Sequence, residues 1–451
     1  MPDSKPDKSN KFIKHLLLNN SKTFCVMPWI HIHTTPTGQA APCCVSKSCA
    51  DNVGIGNSNK HSLLELVNSD KMNQLRLDML SGNKNKECET CYKQDEAGHH
   101  SFRTNSIEEY TRKGMRGTAI RKESLIDHII DTTDLNTGRI KEFKMRYFDI
   151  RFSNICNFKC RTCGSAFSSQ WEKEDLDSKA KVGLPMYAEP IPKGNRKEFL
   201  TEILEQVPNF EVAYFAGGEP LITHEHYVLL EEMIKTKNTK ILLKYNTNLS
   251  NFKYKKKNVF NLWKHFDNTV QLYASLDHFG PKAEYIRHGT EWPEIEKNFS
   301  IAQKAKNITI EINTVFSVLN ALSISHFYKY IADNHWILPD TKKNNGSTFS
   351  LYCMMGPEHL SVHILPKEYK LQVLQQLRIA IDYLEELKFS KRQTKPLYEA
   401  IEFTLLHDTW EEQKSKFKEE IKRIDSMREE DFMITFPELA GLIKPPVALN
   451  P

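Results

Sequence analysis

The sequence predicts an α/β protein whose strands run parallel, and three observations carry that expectation. Short apolar strands alternate with helix-like stretches from residue 144 onward. After residue 211 the strand starts recur about every 30 residues, the length of one strand–helix–strand unit. Nine of the ten cysteines lie before residue 164, so a cysteine-rich segment precedes the alternating part. With right-handed crossovers between parallel strands, a partial, TIM-like (β/α)6 barrel is the expected architecture. A small N-terminal cluster module and a C-terminal helical region flank it.

Composition bounds the function classes. The 451 residues leave room for several domains of about 150 residues each. Lysine and arginine number 62 against 57 aspartates and glutamates, a net charge of +5. That near balance argues against a surface devoted to nucleic acid or membrane. No run approaches about 18 uninterrupted apolar residues, and the N-terminus lacks the apolar core of a signal peptide. The expectation is a cytoplasmic protein, and in a reducing compartment closely spaced cysteines bind metal or do redox chemistry.

Taken in order, residues 1–23 are polar and predict a mobile arm. Residues 24–101 form the cysteine-rich module. Trp29 to His33 alternate as a strand would, and Thr35-Pro36-Thr37-Gly38 turns the chain into a second strand, predicting a hairpin. Leucines spaced over 62–80 predict a helix that Gly82-Asn83 stops. Residues 102–143 are charged and weakly patterned, a connecting segment. The core spans 144–366, with strands around Phe148, at 212–216, 241–245, 270–276 and 308–315, and a sixth at 360–365. Residues 164–210 exceed one crossover helix and hold an insertion or extra helix. Residues 367–451 are the C-terminal region, with helices expected over 367–390 and 410–430.

Cys156, Cys160 and Cys163 follow the first core strand at the spacing C-x-x-x-C-x-x-C. In barrels of parallel strands the chemistry sits where strands end, and a tight loop there aims three thiolates at one point. Soft thiolates suit an iron–sulfur cluster or zinc, and three ligands leave one position open for a substrate. Further polar signals stand at later strand ends. Gly217-Gly218-Glu219 lets a ligand approach the backbone and offers a carboxylate to an ammonium. Asn246 and Asn248 offer groups to ribose hydroxyls, and Ser275-Leu276-Asp277 is followed by Arg287. Each is weak alone; in succession they converge on one barrel mouth.

Over residues 144–320 these motifs resemble the radical S-adenosylmethionine (SAM) superfamily. The resemblance implies that Cys156, Cys160 and Cys163 hold a 4Fe–4S cluster whose open iron is chelated by SAM. It implies that Gly217, Gly218 and Glu219 bind the methionyl amine, that Asn246 and Asn248 meet the ribose, and that Ser275 and Arg287 contact SAM. Thr162 stands where an aromatic residue is usual, and Leu249 where a glycine is commoner. The implied activity is reductive cleavage of SAM to a 5′-deoxyadenosyl radical that abstracts a substrate hydrogen. A flavodoxin- or ferredoxin-like donor would supply the electron, and a peptide or protein side chain is the implied substrate class.

Cys25, Cys43, Cys88 and Cys91 form a second constellation: a hairpin carries one thiol at its entrance and one past its turn, and a later C-x-x-C supplies two more. Four thiolates satisfy either a structural zinc or a fully ligated cluster, zinc being the commoner on spacing alone. The phrase Cys25-Val26-Met27-Pro28-Trp29, then Gly38 and Cys43, resembles the SPASM and twitch modules, which implies one auxiliary 4Fe–4S cluster. Cys44 competes with Cys43, and Cys49 has no assignment. His31 and His33 share one face of the expected strand and read more readily as packed or surface histidines than as ligands. Asp149 and Arg151 make an ion pair or line the barrel, and Cys353 is expected to be a buried small hydrophobe. Two rivals remain: a non-catalytic zinc-binding interaction protein, and a radical SAM enzyme acting on a small metabolite such as a sugar or nucleotide.

Overall fold

A computed structural model describes residues 21–96, 100–111, 122–177, 196–340 and 349–444. Most of the expected N-terminal arm, and parts of the 102–143 segment and of the 164–210 insertion, lie outside the described residues. The strands are β1 (His33–Thr34), β2 (Gln39–Ala41), β3 (Gly56–Asn57), β4 (Tyr147–Ile150), β5 (Lys159–Cys160), β6 (Val212–Phe215), β7 (Leu242–Thr247), β8 (Lys253–Tyr254), β9 (Lys257–Asn258), β10 (Val270–Ser275), β11 (Arg287–His288), β12 (Ile308–Phe316) and β13 (Phe349–Cys353). The chain divides into two compact units. One holds 1–154, 189–245 and 253–270; the other holds 155–188, 246–252 and 271–451.

In the first unit the strand order is β7-β6-β4-β1-β2-β3. β4 pairs in parallel with β6 and with β1, and β6 in parallel with β7, as strand–helix alternation requires. β1, β2 and β3 are antiparallel, and the expected hairpin is present, closed by Gly38 N–H to Thr35 O at 2.9 Å. Alternate residues of β4, β6 and β7 carry Phe148, Phe215 and Tyr245 into a core that also takes Phe210 and Trp263. The basic run at Lys253–Lys257 is the small β8–β9 hairpin, with Lys253, Lys255, Lys256 and Lys257 exposed. In the second unit β10, β12 and β13 follow in that order, β12 and β13 being parallel. Phe299 and Trp336 stack there at 4.0 Å between ring centroids.

Six expectations change. Trp29 is not in a strand: Met27–Ile30 is a helical turn, because Pro28 sits in its first turn with φ already set, and the strand begins only at His33. The 62–80 helix is two, Leu63–Val67 and Asp70–Leu80, since the Asn68 side chain leaves the helical pattern to bond both N–H and C=O of Ile140. Residues 360–365 are not a strand but lie in two single 3₁₀ turns, Glu358–Leu360 and Val362–Ile364. Ser361 caps the second, and β13 is the strand beside β12 instead. Cys353, on β13, is half-buried rather than buried. The C-terminal region has a third long helix, Lys391–Leu406, beside Lys367–Glu386 and Trp410–Arg428. Its capping box, Ser390 with Gln393, is a signal the sequence carried. Helices Phe102–Thr111 and Lys122–Thr132 occupy the segment expected only to connect.

Candidate iron–sulfur sites

The cysteine loop after β4 belongs to the second unit and is shaped by hydrogen bonds to its own carbonyls. Trp171 Nε1 donates to Cys160 O at 2.7 Å, Ser168 Oγ to Phe158 O at 2.5 Å, and Ser169 Oγ to Cys156 O at 3.2 Å. The donors stand at and just before the start of helix Ser169–Asp177. Cys163 N–H closes back onto Cys160 O at 3.0 Å, so the last two cysteines share one turn. Cys160 is buried, and Cys156 and Cys163 are half-buried. Burial pushes the Cys163 thiol up to about 12, with the neighbouring Cys160 adding to it. Burial also raises Cys160, although Arg287 pulls the other way.

Several residues expected at the site do converge on this loop. β11 pairs with β5 so that Arg287 faces Cys160, and Arg287 Nη1 reaches its Sγ at 3.8 Å. Asn248 donates through Nδ2 to Asn157 Oδ1 at 3.0 Å, next to Cys156. Asn246 and Ser275 stand at the ends of β7 and β10, half-exposed. Leu249 adopts φ of 57°, the left-handed geometry that makes glycine the commoner residue there. Its N–H bonds Thr247 Oγ1, and its carbonyl accepts Asn298 Nδ2, which hold it.

Gly217, Gly218 and Glu219 lie in the first unit. Gly217 has φ of 123°, a region open to glycine, and the Arg151 side chain lies 3.5 Å from where a Cβ would sit. Glu219 is buried and caps the turn Pro220–Ile222, accepting the Leu221 N–H at 3.1 Å. His226 beyond it is buried against Tyr245, Nε2 to hydroxyl 3.0 Å, and burial holds it neutral, down to about 3.

Sequence reasoning passed over three groups. Asp277 is buried, receives Arg287 Nε at 2.8 Å, and accepts the Val315 N–H at 2.8 Å, so it aims the guanidinium at Cys160. Its signal was available, since it closes the Ser275-Leu276-Asp277 strand end. The last long helix and the residues just past it supply the second group: Arg428 Nη1 donates to Lys159 O at 2.9 Å and Nη2 to Glu174 at 2.7 Å, while Asp425 and Glu430 bind Arg161. Nothing in the local pattern links residue 161 to residue 425. Gly289 is the third. With φ of 105° and only 3.0 Å between its Cβ position and both Asn157 O and Phe158 Cδ1, it lets this strand end approach the cysteine loop. Gly289→Ala is therefore expected to destabilise by about 1–3 kcal/mol. It should also lower iron retention in the reconstituted protein; unchanged denaturation midpoint and iron content would count against this packing role.

In the first unit the other cysteines sort themselves. After burial has raised each, Cys91 raises Cys25, Cys25 and Cys91 raise Cys88, and Cys44, Cys88 and Cys25 raise Cys43. Cys44 acts on Cys43, but its own charged neighbours are Asp149, Arg151 and Cys49. The four expected ligands are thus neighbours, and their thiol chemistry fits a cluster. His31 and His33 are fully buried; Nδ1 of His33 lies 3.1 Å from Asp149 Oδ2. Burial alone would push the Asp149 carboxyl up, but His33 and Arg151 outweigh it and hold it below the usual carboxylate range.

Comparison with known proteins bears on these groups. Residues 25–92 match the SPASM family, described as an iron–sulfur cluster-binding domain. That segment contains all four clustered thiols of the first unit, so this part of the chain is similar to a cluster-binding module. No curated protein matches the chain. Among solved structures, native anSMEcpe with bound AdoMet is similar at 18% identity and a TM-score of 0.33 over 51% of this chain. The chain spans 57% of that protein's length. Streptococcus suis SuiB bound to precursor peptide SuiA is similar at 13% identity and a TM-score of 0.31, over 73% of this chain and 65% of SuiB. No helix among the described residues is long and apolar enough to cross a membrane.

Proposed function

We propose that the protein is a radical SAM enzyme built on a partial (β/α)6 barrel, with an auxiliary 4Fe–4S cluster in the module at 24–101. The observation that carries this reading is Cys160 held between its loop and the Asp277-oriented guanidinium of Arg287, with Asn248 tied to the same loop. When bound, a three-cysteine 4Fe–4S cluster supplies the electron that splits SAM into methionine and a 5′-deoxyadenosyl radical, which takes hydrogen from the substrate.

The chain's own residues do the positioning. Cys156, Cys160 and Cys163 provide three soft ligands on a loop whose carbonyls are already satisfied, so little ordering remains when a cluster binds. Arg287 places a positive charge beside Cys160, which favours its thiolate over its thiol. Asn248 would brace the loop through Asn157, and the half-exposed Asn246 and Ser275 at their strand ends would meet the ribose. Cys25, Cys43, Cys88 and Cys91 would hold the auxiliary cluster, leaving Cys44 outside its ligand set. A peptide or protein side chain is the proposed substrate. An open groove of about 440 Å³, lined by Glu284, His288, Glu291, Glu430 and Asp431, lies at the β11 end, where it could receive an extended segment. The electron would come from a flavodoxin- or ferredoxin-like protein.

The test is direct. The protein, reconstituted anaerobically with iron and sulfide, is given SAM and dithionite, and 5′-deoxyadenosine is measured. Wild type is expected to form it and Cys160→Ala to fall to background. Equal yields from the two, or none from an iron-loaded wild type, would end the proposal.

A further inference from the structure

A second set of potential ligands lies in the first unit, outside the four clustered thiols. His31, His33 and Asp149 each place a ligating atom within 4.8 Å of the other two, and all three are buried. The fold brings them together: His31 and His33 are two residues apart in extended chain, and β1 pairs with β4 so that His33 faces Asp149. Nδ1 of His31 lies 3.0 Å from Tyr147 O, and Nδ1 of His33 lies 3.1 Å from Asp149 O. A carbonyl only accepts, so in His31 the proton sits on Nδ1, and its Nε2, buried and without a hydrogen bond, carries a lone pair. In His33, Nδ1 also lies 3.1 Å from Asp149 Oδ2, so that nitrogen and that oxygen face each other.

We propose that His31, His33 and Asp149 bind a divalent transition-metal cation, zinc in the first place. His31 has the arrangement that metal-binding histidines use, Nδ1–H held by a backbone carbonyl with Nε2 left for the ion, while at His33 the ion would take the place of the proton between Nδ1 and Asp149 Oδ2. Two imidazoles and a carboxylate suit zinc by softness and by number, with a fourth position left over. Thiols stand nearby: Cys49 hydrogen-bonds the His33 side chain, and Cys44 lies among Asp149, Arg151 and Cys49. These are the two cysteines of the module that the Cys25 group leaves over. A packed ion pair accounts for Asp149, which Arg151 Nε meets at 3.4 Å. It leaves the buried Nε2 of His31 unexplained, and that the ion would satisfy. Bound there, zinc would staple the β1–β2 hairpin to β4. The inference is independent of SAM cleavage.

The experiment uses the full chain with its clusters reconstituted, incubated with zinc sulfate and dialysed against a weak chelator. Expected is about one zinc per chain, with imidazole scattering at about 2.0–2.1 Å in its X-ray absorption spectrum. His31→Gln and Asp149→Asn should each weaken zinc retention about 10–100-fold. Cys88→Ala, which breaks the thiol group, should retain it. A wild type without zinc, or one whose zinc has sulfur neighbours only, overturns the site whether or not the variants fold. So does full zinc retention in a folded, iron-containing His31→Gln protein.

Discussion

Replacing Arg161 with methionine is expected to lower folding stability by about 3 kcal/mol and to loosen the cysteine loop. Arg161 is buried within that loop, between Cys160 and Cys163. Its guanidinium lies 3.6 Å from the Tyr285 ring centre and bonds Asp425 and Glu430. Asp425 in turn accepts the Tyr285 hydroxyl at 2.6 Å and the Phe432 N–H at 2.8 Å. Removing the cation leaves two mostly buried carboxylates with too little positive charge, which is the costly way to break such a network. Neutralising all members costs less, because no uncompensated charge remains. The triple variant Arg161→Met, Asp425→Asn, Glu430→Gln is therefore expected to recover much of the loss. Chemical denaturation of the three proteins checks this, with iron content as the second readout. A single variant as stable as wild type, or a triple no better than the single, would remove the network from the account.

Cys25→Ala should lose the iron of the auxiliary site, about four atoms per chain, and keep that of the Cys156 loop. The pH dependence has a definite sign. Burial pushes the Cys25 thiol up to about 12 and raises Cys43, Cys88 and Cys91 as well. Below those values the metal-free protein carries neutral thiols, so iron binding releases protons and acid opposes it. Each released proton makes apparent affinity fall about tenfold per pH unit. Iron retention against a fixed chelator should therefore drop steeply between pH 8 and pH 6. A flat profile, or a Cys25→Ala protein with its full iron, would mean that these thiols are not the ligands.

Much of the site's composition was legible along the chain, because its elements are local. Three cysteines within eight residues must share a loop, and Gly38 beyond Thr35-Pro36 can do little but turn. Arg287 was readable as a candidate, and so, at a strand end, was Asp277. The errors were local competitions with close alternatives. Alternation at 29–33 looked like a strand until Pro28 started a helical turn, and the apolar run at 360–365 lacked any sign of which partner it would meet. Cys43 and Cys44 are adjacent in sequence, and only their different further neighbours, Cys88 and Cys25 against Asp149 and Arg151, separate them.

What the sequence determined by itself, then, was order at short range: the spacing of the cysteines, turns, caps and the alternation that makes strands parallel. Those depend on bond geometry and on neighbours a few residues away. The tertiary structure alone decided which distant side chains meet. Arg161 with Asp425, His33 with Asp149, and Arg287 with Cys160 are separated by more than a hundred residues each, yet all depend on contact. Such pairs leave no periodic trace in the chain, because a charge or an imidazole is placed there by packing around it and not by the backbone beneath it.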